Sequence, residues 1–140
     1  MRIGTILVPV DESDHSLKAA NYAADMARSL GAAVVFVHCE PAVSPQLGKP
    51  NADLAEQRRL AAAEESLAPC RRLCAEYGLP CRDLALEGPP AETIVDAVRA
   101  EKADLVVIGT RGKSDLEGLV LGSVTHKLLT IAPCPVLVVR

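Results

Sequence analysis

Aromatic residues are nearly missing from this chain: it has no Trp, two Tyr and one Phe in 140 residues. A core of any size must then be aliphatic, filled by the Val, Leu, Ile and Ala that make up most of the 49% hydrophobic fraction. An excess of positive charge is also missing. Fifteen Lys and Arg stand against eighteen Asp and Glu, and the formal net charge of −3 offers no electrostatic grip on DNA or an acidic membrane. No apolar run approaches the roughly 18 residues that span a bilayer. Met1-Arg2-Ile3-Gly4-Thr5 leads straight into an apolar segment with no signal-peptide pattern. The expected location is the cytoplasm, with no nucleic-acid and no membrane partner. Five cysteines, Cys39, Cys70, Cys74, Cys81 and Cys134, form no Cys-x2-Cys pair and fit no disulfide framework, so free thiols are expected. His15, His38 and His126 are scattered, with no carboxylate partner evident and no Ser-His-Asp order. Nothing here nominates a catalytic base.

What is present is an alternation of short apolar runs with helical patterns. Thr5–Val10, Ala33–His38, Leu105–Ile108 and Val136–Val139 read as buried strands, and the more polar Arg82–Leu86 as an edge strand. Between them, Leu17, Ala20, Ala24 and Ala27 mark a first helix that Ser13 or Asp14 can cap and Gly31 ends. Asp53 with Glu56 resembles a capping box opening a long helix with the stripe Leu60, Ala63, Leu67, Cys70, Cys74. Pro69 inside it predicts a kink or a split. Residues 41–52 read as a loop. Ala91, Ile94, Val95 and Val98 mark a third helix, and Val124, Leu128 and Leu129 a fourth. This pattern predicts one α/β domain over residues 1–140: an open parallel five-stranded sheet with helices on both faces.

Ligands of such sheets bind outside the carboxyl ends of strands, where the winding reverses. Two carboxyl ends carry unusual chemistry, Pro9-Val10-Asp11 and Gly109-Thr110-Arg111-Gly112. If their strands are neighbours, the order is 3-2-1-4-5 and a crevice separates Asp11 from the glycine-rich loop. Gly109 and Gly112 can adopt positive φ and bring backbone N–H groups close to an anion. Ser123 starts a helix whose first N–H groups favour negative charge. Arg111 and Lys113 add positive charge. Asp11, acceptor-only when ionised, suits a ribose hydroxyl or an adenine amino group. Each has a plainer alternative: an ordinary turn for the glycines, a helix cap for Asp11 and Ser123, surface charge for Arg111 and Lys113. Gly112-Lys113-Ser114 is not a P-loop, because Val107 stands where its first glycine is required, and the dinucleotide pattern G-x-G-x-x-G is absent.

Gly109-x2-Gly112-x9-Gly122-Ser123 resembles the nucleotide-binding signature of the universal stress protein family. Ile6–Ser13, Glu87–Ile94 and Ala103–Arg140 are also similar to it, and the likeness is weakest over residues 41–80. The resemblance implies the 3-2-1-4-5 order, homodimerisation through Val136–Val139, and ATP binding as in the family's ATP-binding branch. It implies Pro9, Val10 and Asp11 against adenine and ribose, with Cys39, just after the second strand, completing the adenine wall. It implies Gly109, Thr110, Arg111, Gly112, Lys113 and Ser114 around ribose and phosphates, and Gly122, Ser123, Val124 and Thr125 on the phosphate chain. Asp115 departs from the family, which more often has Gly or Asn there; a carboxylate at this place either weakens binding or holds a divalent metal such as Mg2+. For the dimer, the physical argument agrees with the resemblance, since an apolar C-terminal edge strand is an aggregation liability unless it is paired. The expected function is an ATP-binding stress-response protein, a homodimeric binding module or switch read by an unidentified protein partner, and not an enzyme. Its rivals are a slow Mg-dependent ATPase and a nucleotide-free dimerisation scaffold.

Overall fold

The structure, a computed structural model, describes residues 1–42, 44, 46–112, 118 and 120–140. Nine elements alternate: β1 (Thr5–Pro9), α1 (Asp14–Leu30), β2 (Ala33–Glu40), α2 (Asn51–Tyr77), β3 (Cys81–Glu87), α3 (Pro90–Glu101), β4 (Leu105–Gly109), α4 (Ser123–Ile131) and β5 (Val136–Val139). All strand pairings are parallel, in the order β3-β2-β1-β4-β5. The expected order holds, and β3 lies at an edge as its polarity suggested. Strand side chains alternate between faces, which splits the aliphatic core in two. Ile6, Val8, Val34, Phe36 and Val107 pack under α1 and α2, while Leu7, Val35, Val37, Val106 and Ile108 pack under α3 and α4. Asp104 ties the sheet's centre together: its Oδ2 accepts the backbone N–H groups of Gly4 at 2.8 Å and Thr5 at 3.0 Å. That bond sets where β1 begins beside β4, and therefore where both strands end.

Several boundaries and faces differ from the sequence expectations. β1 stops at Pro9, though the Val10 N–H still donates to the Val37 carbonyl at 2.8 Å. β2 continues to Glu40, so Cys39 lies inside the strand and not after it. Ser13 caps α1, accepting from the Ser16 N–H at 3.2 Å, and Gly31 ends it in the left-handed region at φ 66°. Leu17, expected in the buried stripe, is 44% exposed; the buried face is Ser16, Ala19, Ala20, Ala23, Ala24 and Ala27. Leu60 is likewise 53% exposed, because α2 is buried only from Ala63 onward. Its first half is held by charge instead. Arg59 bonds Glu56 one turn earlier and reaches Glu87 at the end of β3, 3.0 Å from Nε to Oε1. Glu56 is thus committed to Arg59, α2 begins at Asn51 with no side-chain cap, and the Asp53–Glu56 capping box does not form. Pro69 does not split α2: buried Ser66 and Leu67 before it and Cys70 and Cys74 after it anchor both sides to the sheet. In α4, Leu128 is wholly buried and Leu129 is 49% exposed, so only the first belongs to the core.

The two leucines give a direct check on this packing. Leu128→Ala leaves a cavity under β4 and should cost about 2–5 kcal/mol in urea unfolding. Leu129→Ala should stay within about 0.5 kcal/mol. Equal losses would mean that α4 is rotated from the orientation described.

Candidate functional site

The crossover after β1 runs to one side of the sheet and the crossover into β4 to the other. The winding therefore reverses between these strands, and their carboxyl ends part. A cleft of about 360 Å3 opens there, within the range of small-molecule sites. One wall is Pro9, Val10, Asp11 and Glu12, following β1. The other is Ile108, Gly109, Arg111 and Gly112, ending β4. Val37, His38, Cys39, Glu40 and Pro41 close it along β2, Pro90 and Ile94 along α3, and Ser123, Val124 and Thr125 at the start of α4.

The residues expected at a site from sequence are thus largely brought together. Pro9, Val10, Asp11, Cys39, Gly109, Arg111, Gly112, Ser123, Val124 and Thr125 all line this cleft. Thr110 and Gly122 stand behind it. The Gly122 N–H donates to the Thr110 carbonyl at 2.6 Å, and the Thr110 N–H donates to Val139 at 3.2 Å. These bonds pin the start of α4 to the end of β4. Lys113, Ser114 and Asp115 lie outside the described residues.

Individual roles differ from the simplest reading. Gly109 does not use positive φ. Its lack of a side chain serves packing, since a Cβ there would lie 2.7 Å from the carbonyl oxygen of His15 and 3.0 Å from its Cβ. Buried Thr125 donates its hydroxyl to the Gly109 carbonyl at 2.8 Å, so that proton is already spent inside the protein. One Asp11 carboxylate oxygen accepts the Ser13 N–H at 2.8 Å, and the Asp11 N–H donates to Ser16 Oγ at 2.8 Å. Asp11 thus turns the chain into the N-cap residue, while the cap of α1 itself is Ser13, and Asp11 keeps its place in the cleft wall. Gly122, at the N-cap of α4, provides no side-chain acceptor. The start of α4 lies at the cleft, where a helix N-terminus favours negative charge.

Electrostatically the cleft is mixed. Its described lining carries three carboxylates, Asp11, Glu12 and Glu40, and one guanidinium, Arg111. Arg111 Nη2 lies 3.3 Å from His15 Nε2. Burial pushes the Cys39 thiol up, and the nearby Glu40 carboxylate adds to this, while a hydrogen bond with Thr93 pulls it down. Cys39 Sγ also approaches the Gly88 carbonyl at 3.6 Å. The thiol is therefore mostly protonated at neutral pH, which suits a wall and not a nucleophile.

Sequence reasoning missed the His38–Glu40 pair. His38 Nε2 lies 2.9 Å from Glu40 Oε1, and both residues line the cleft. The signal was available: positions i and i+2 of a strand share a face, and β2 was read two residues too short. Pro90 and Ile94 were also missed. They arrive from α3, 51 and 55 residues after Cys39, and only the fold brings them beside it. Cys70 and Cys74 are buried in the core stripe, as expected.

Fold and cleft together define a doubly wound α/β protein with a cleft at its switch point. Comparison with known proteins narrows this. The universal stress protein family model matches residues 2–140, and the chain belongs to that family. It is 44% identical over 137 residues to the "Universal stress protein in QAH/OAS sulfhydrylase 3'region" of Thermus aquaticus, covering 97% of this chain and 98% of that one. It is 38% identical over 138 residues to universal stress protein MJ0531 of Methanocaldococcus jannaschii, covering 96% and 81%. Among solved structures, universal stress protein UspA from Lactobacillus plantarum superposes with a TM-score of 0.85 at 26% identity, covering 100% and 99%. A universal stress protein from Archaeoglobus fulgidus, solved in complex with dAMP, superposes at 0.75 with 24% identity over 100% of both chains. Another, solved in complex with cAMP, superposes at 0.73 with 23% identity over 100% and 98%.

The Gly109–His15 contact predicts that Gly109→Ala forces β4 and α1 apart, at a cost of about 1–3 kcal/mol in urea unfolding. Gly48→Ala is the control, since nothing lies within 4 Å of the added methyl. If the two variants unfold alike, the close approach described here is wrong.

Proposed function

We propose that residues 1–140 form a nucleotide-binding domain that takes an adenine nucleotide, ATP first among them, in the cleft between β1 and β4. The observation that carries this reading is convergence. An acceptor-only carboxylate (Asp11), a glycine-containing loop with a guanidinium (Gly109–Gly112), and a helix N-terminus that starts from a glycine (Gly122–Thr125) meet around one cavity of about 360 Å3. A nucleoside phosphate asks for this set: hydroxyl donors for a carboxylate, an aromatic base against Pro9, Val10, Val37 and Cys39, and an anion for a helix start and an arginine. Relatives of the same fold solved with dAMP and cAMP support the assignment to adenine. On this reading Gly122, Ser123, Val124 and Thr125 hold phosphates through backbone and helix dipole, because the Thr125 hydroxyl is engaged elsewhere. Lys113 and Ser114, which follow Gly112 in sequence, belong to the same proposed phosphate set, and Asp115 is the candidate for holding Mg2+.

The protein then works as a nucleotide-dependent binding module in the cytoplasm, whose occupancy a protein partner reads. Its second surface is β5, at the edge of the sheet, with Val136, Leu137 and Val138 partly exposed. Pairing with a second copy there would cover an open apolar edge. No helix among the described residues is long and apolar enough to cross a membrane.

Each part of this reading has its own test. The purified chain should carry adenine nucleotide released on denaturation, or gain thermal stability with millimolar ATP, and ATP should slow alkylation of Cys39. An empty protein with no thermal shift and unchanged Cys39 labelling would end the nucleotide reading. Phosphate release in the same preparation, measured with and without Mg2+, exposes any ATPase, which Asp115→Asn should then abolish. For the dimer, sedimentation should give twice the 14.8 kDa chain mass; a single-chain mass at tens of micromolar would remove β5 as the interface.

A further inference from the structure

Among the described residues lining the cleft, Arg111 is the only lysine or arginine, set against the carboxylates of Asp11, Glu12 and Glu40. An arginine in such company has two easy fates. It can swing into solvent, since its long side chain has about 2 kcal/mol of rotamer entropy to regain. Or it can pair with a carboxylate of the wall, which would cancel the charge an anionic ligand needs. The structure shows neither. Among the described residues Arg111 makes no ion pair, and its contact is with a ring nitrogen, His15 Nε2, at 3.3 Å across 96 residues of sequence.

The chemistry of that contact is constrained. A guanidinium has donors and no acceptor. Arg111 Nη2 therefore donates, His15 Nε2 accepts through its lone pair, and the ring proton sits on Nδ1. The imidazole is neutral in this arrangement, so it holds the guanidinium without neutralising it. His15 is itself well placed to hold something. It sits in the first turn of α1, behind the Ser13 cap, and its carbonyl oxygen and Cβ lie against Gly109 at the end of β4. One residue thus presses on the strand that precedes the loop and bonds the loop's arginine two positions later.

We propose that His15 is a positioning residue of the anion subsite: through its neutral Nε2 it holds the Arg111 guanidinium at the cleft wall with its charge available to a ligand phosphate. This role rests on the reading of the cleft as an adenine-nucleotide site. Neither the family signature nor the nucleotide motif includes position 15, and His15 is not itself part of the cleft lining.

Calorimetric titration of the full chain with adenosine, AMP and ATP tests it, because the three ligands differ only in phosphate. His15→Ala keeps the backbone contact with Gly109 and removes the acceptor. It should weaken AMP and ATP roughly tenfold, the size expected for one charge-assisted hydrogen bond, and change adenosine less than twofold. Arg111→Ala should do the same, and the double variant should be no weaker than Arg111→Ala alone, since His15 acts only through Arg111. His15→Gln, whose amide oxygen can accept from Arg111, should recover most of the lost phosphate affinity. Equal weakening of all three ligands by His15→Ala would show a merely structural role and overturn the proposal. So would additive losses in the double variant, or an unchanged preference of the His15→Ala protein for AMP over adenosine. A wild-type chain that binds none of the three ligands fails at an earlier step: the nucleotide reading falls, and this role falls with it.

Discussion

Between Gly109 and His15 there is no room for a β-carbon: the nearest backbone oxygen would be 2.7 Å away. Here β4 and the first turn of α1 meet backbone to backbone, and the cleft depends on that meeting. It fixes the height at which β4 ends relative to α1. It leaves the Gly109 carbonyl facing Thr125, whose hydroxyl bond at 2.8 Å draws the start of α4 onto the same spot. It sets the loop that follows so that Arg111 reaches His15. A larger residue would push α1 off the strand end and would shift three walls of the cleft together. The glycine required by the phosphate reading and the glycine required by packing are thus one residue. Geometry makes the packing requirement the stricter of the two.

On the proposed nucleotide reading, the same junction has to offset a net charge of −3 and an acidic cleft wall before an anion can bind. A helix N-terminus contributes typically 0.3–1 kcal/mol, and about 2 when partly buried. A charge-assisted hydrogen bond from arginine contributes about 1.5–3 kcal/mol. Against these, a carboxylate about 4 Å from a phosphate costs about 1–4 kcal/mol, depending on how much water lies between. The terms are of one size, so net charge cannot decide the outcome and placement must. The Ser13 N–H holds the Asp11 carboxylate at the β1 side, and the bond from the Asp11 N–H to Ser16 fixes its backbone. Arg111 is held on the β4 side. Separating them across the cleft allows one ligand to meet a carboxylate at its sugar and a cation at its phosphate.

Strand identity was legible because buried parallel strands are plain apolar runs, two of them ending in residues with no place in a core, Asp11 and the Gly109–Gly112 loop; the order followed only on the condition that those two are neighbours, which the family resemblance implied. Most candidate site residues followed from those two ends. Other features were not legible, for physical reasons. Glu56 satisfies both a capping box and an i,i+3 pair with Arg59, and only the position of Glu87 on β3 tips it to the latter. Cys39 was placed outside β2, which was read as ending with the apolar run at His38. In the fold, however, the Glu40 carbonyl receives the Gly88 N–H at 2.9 Å and the ladder to β3 runs on. Pro90 and Ile94 reach the cleft only through tertiary structure, and no local pattern could announce them.

Leu17 carries the most general of these lessons. A hydrophobic stripe was sought, and Leu17 was assigned to it. The structure puts Leu17, Tyr22 and Leu30 outward and buries Ser16 and five alanines. That inversion and the Gly109–His15 contact have a common cause. A helix can bring its backbone onto a strand end only if everything between them is small, and a leucine on the inner face would hold α1 off the sheet. The alanine face and the strand-end glycine are two halves of one close contact. That contact lowers the α1 N-terminus far enough for His15 to reach Arg111 and for Asp11 to face the cleft. Read for size instead of hydrophobicity, the alanines at positions 19, 20, 23, 24 and 27 and the glycine at 109 already mark the place where helix and sheet must meet most closely.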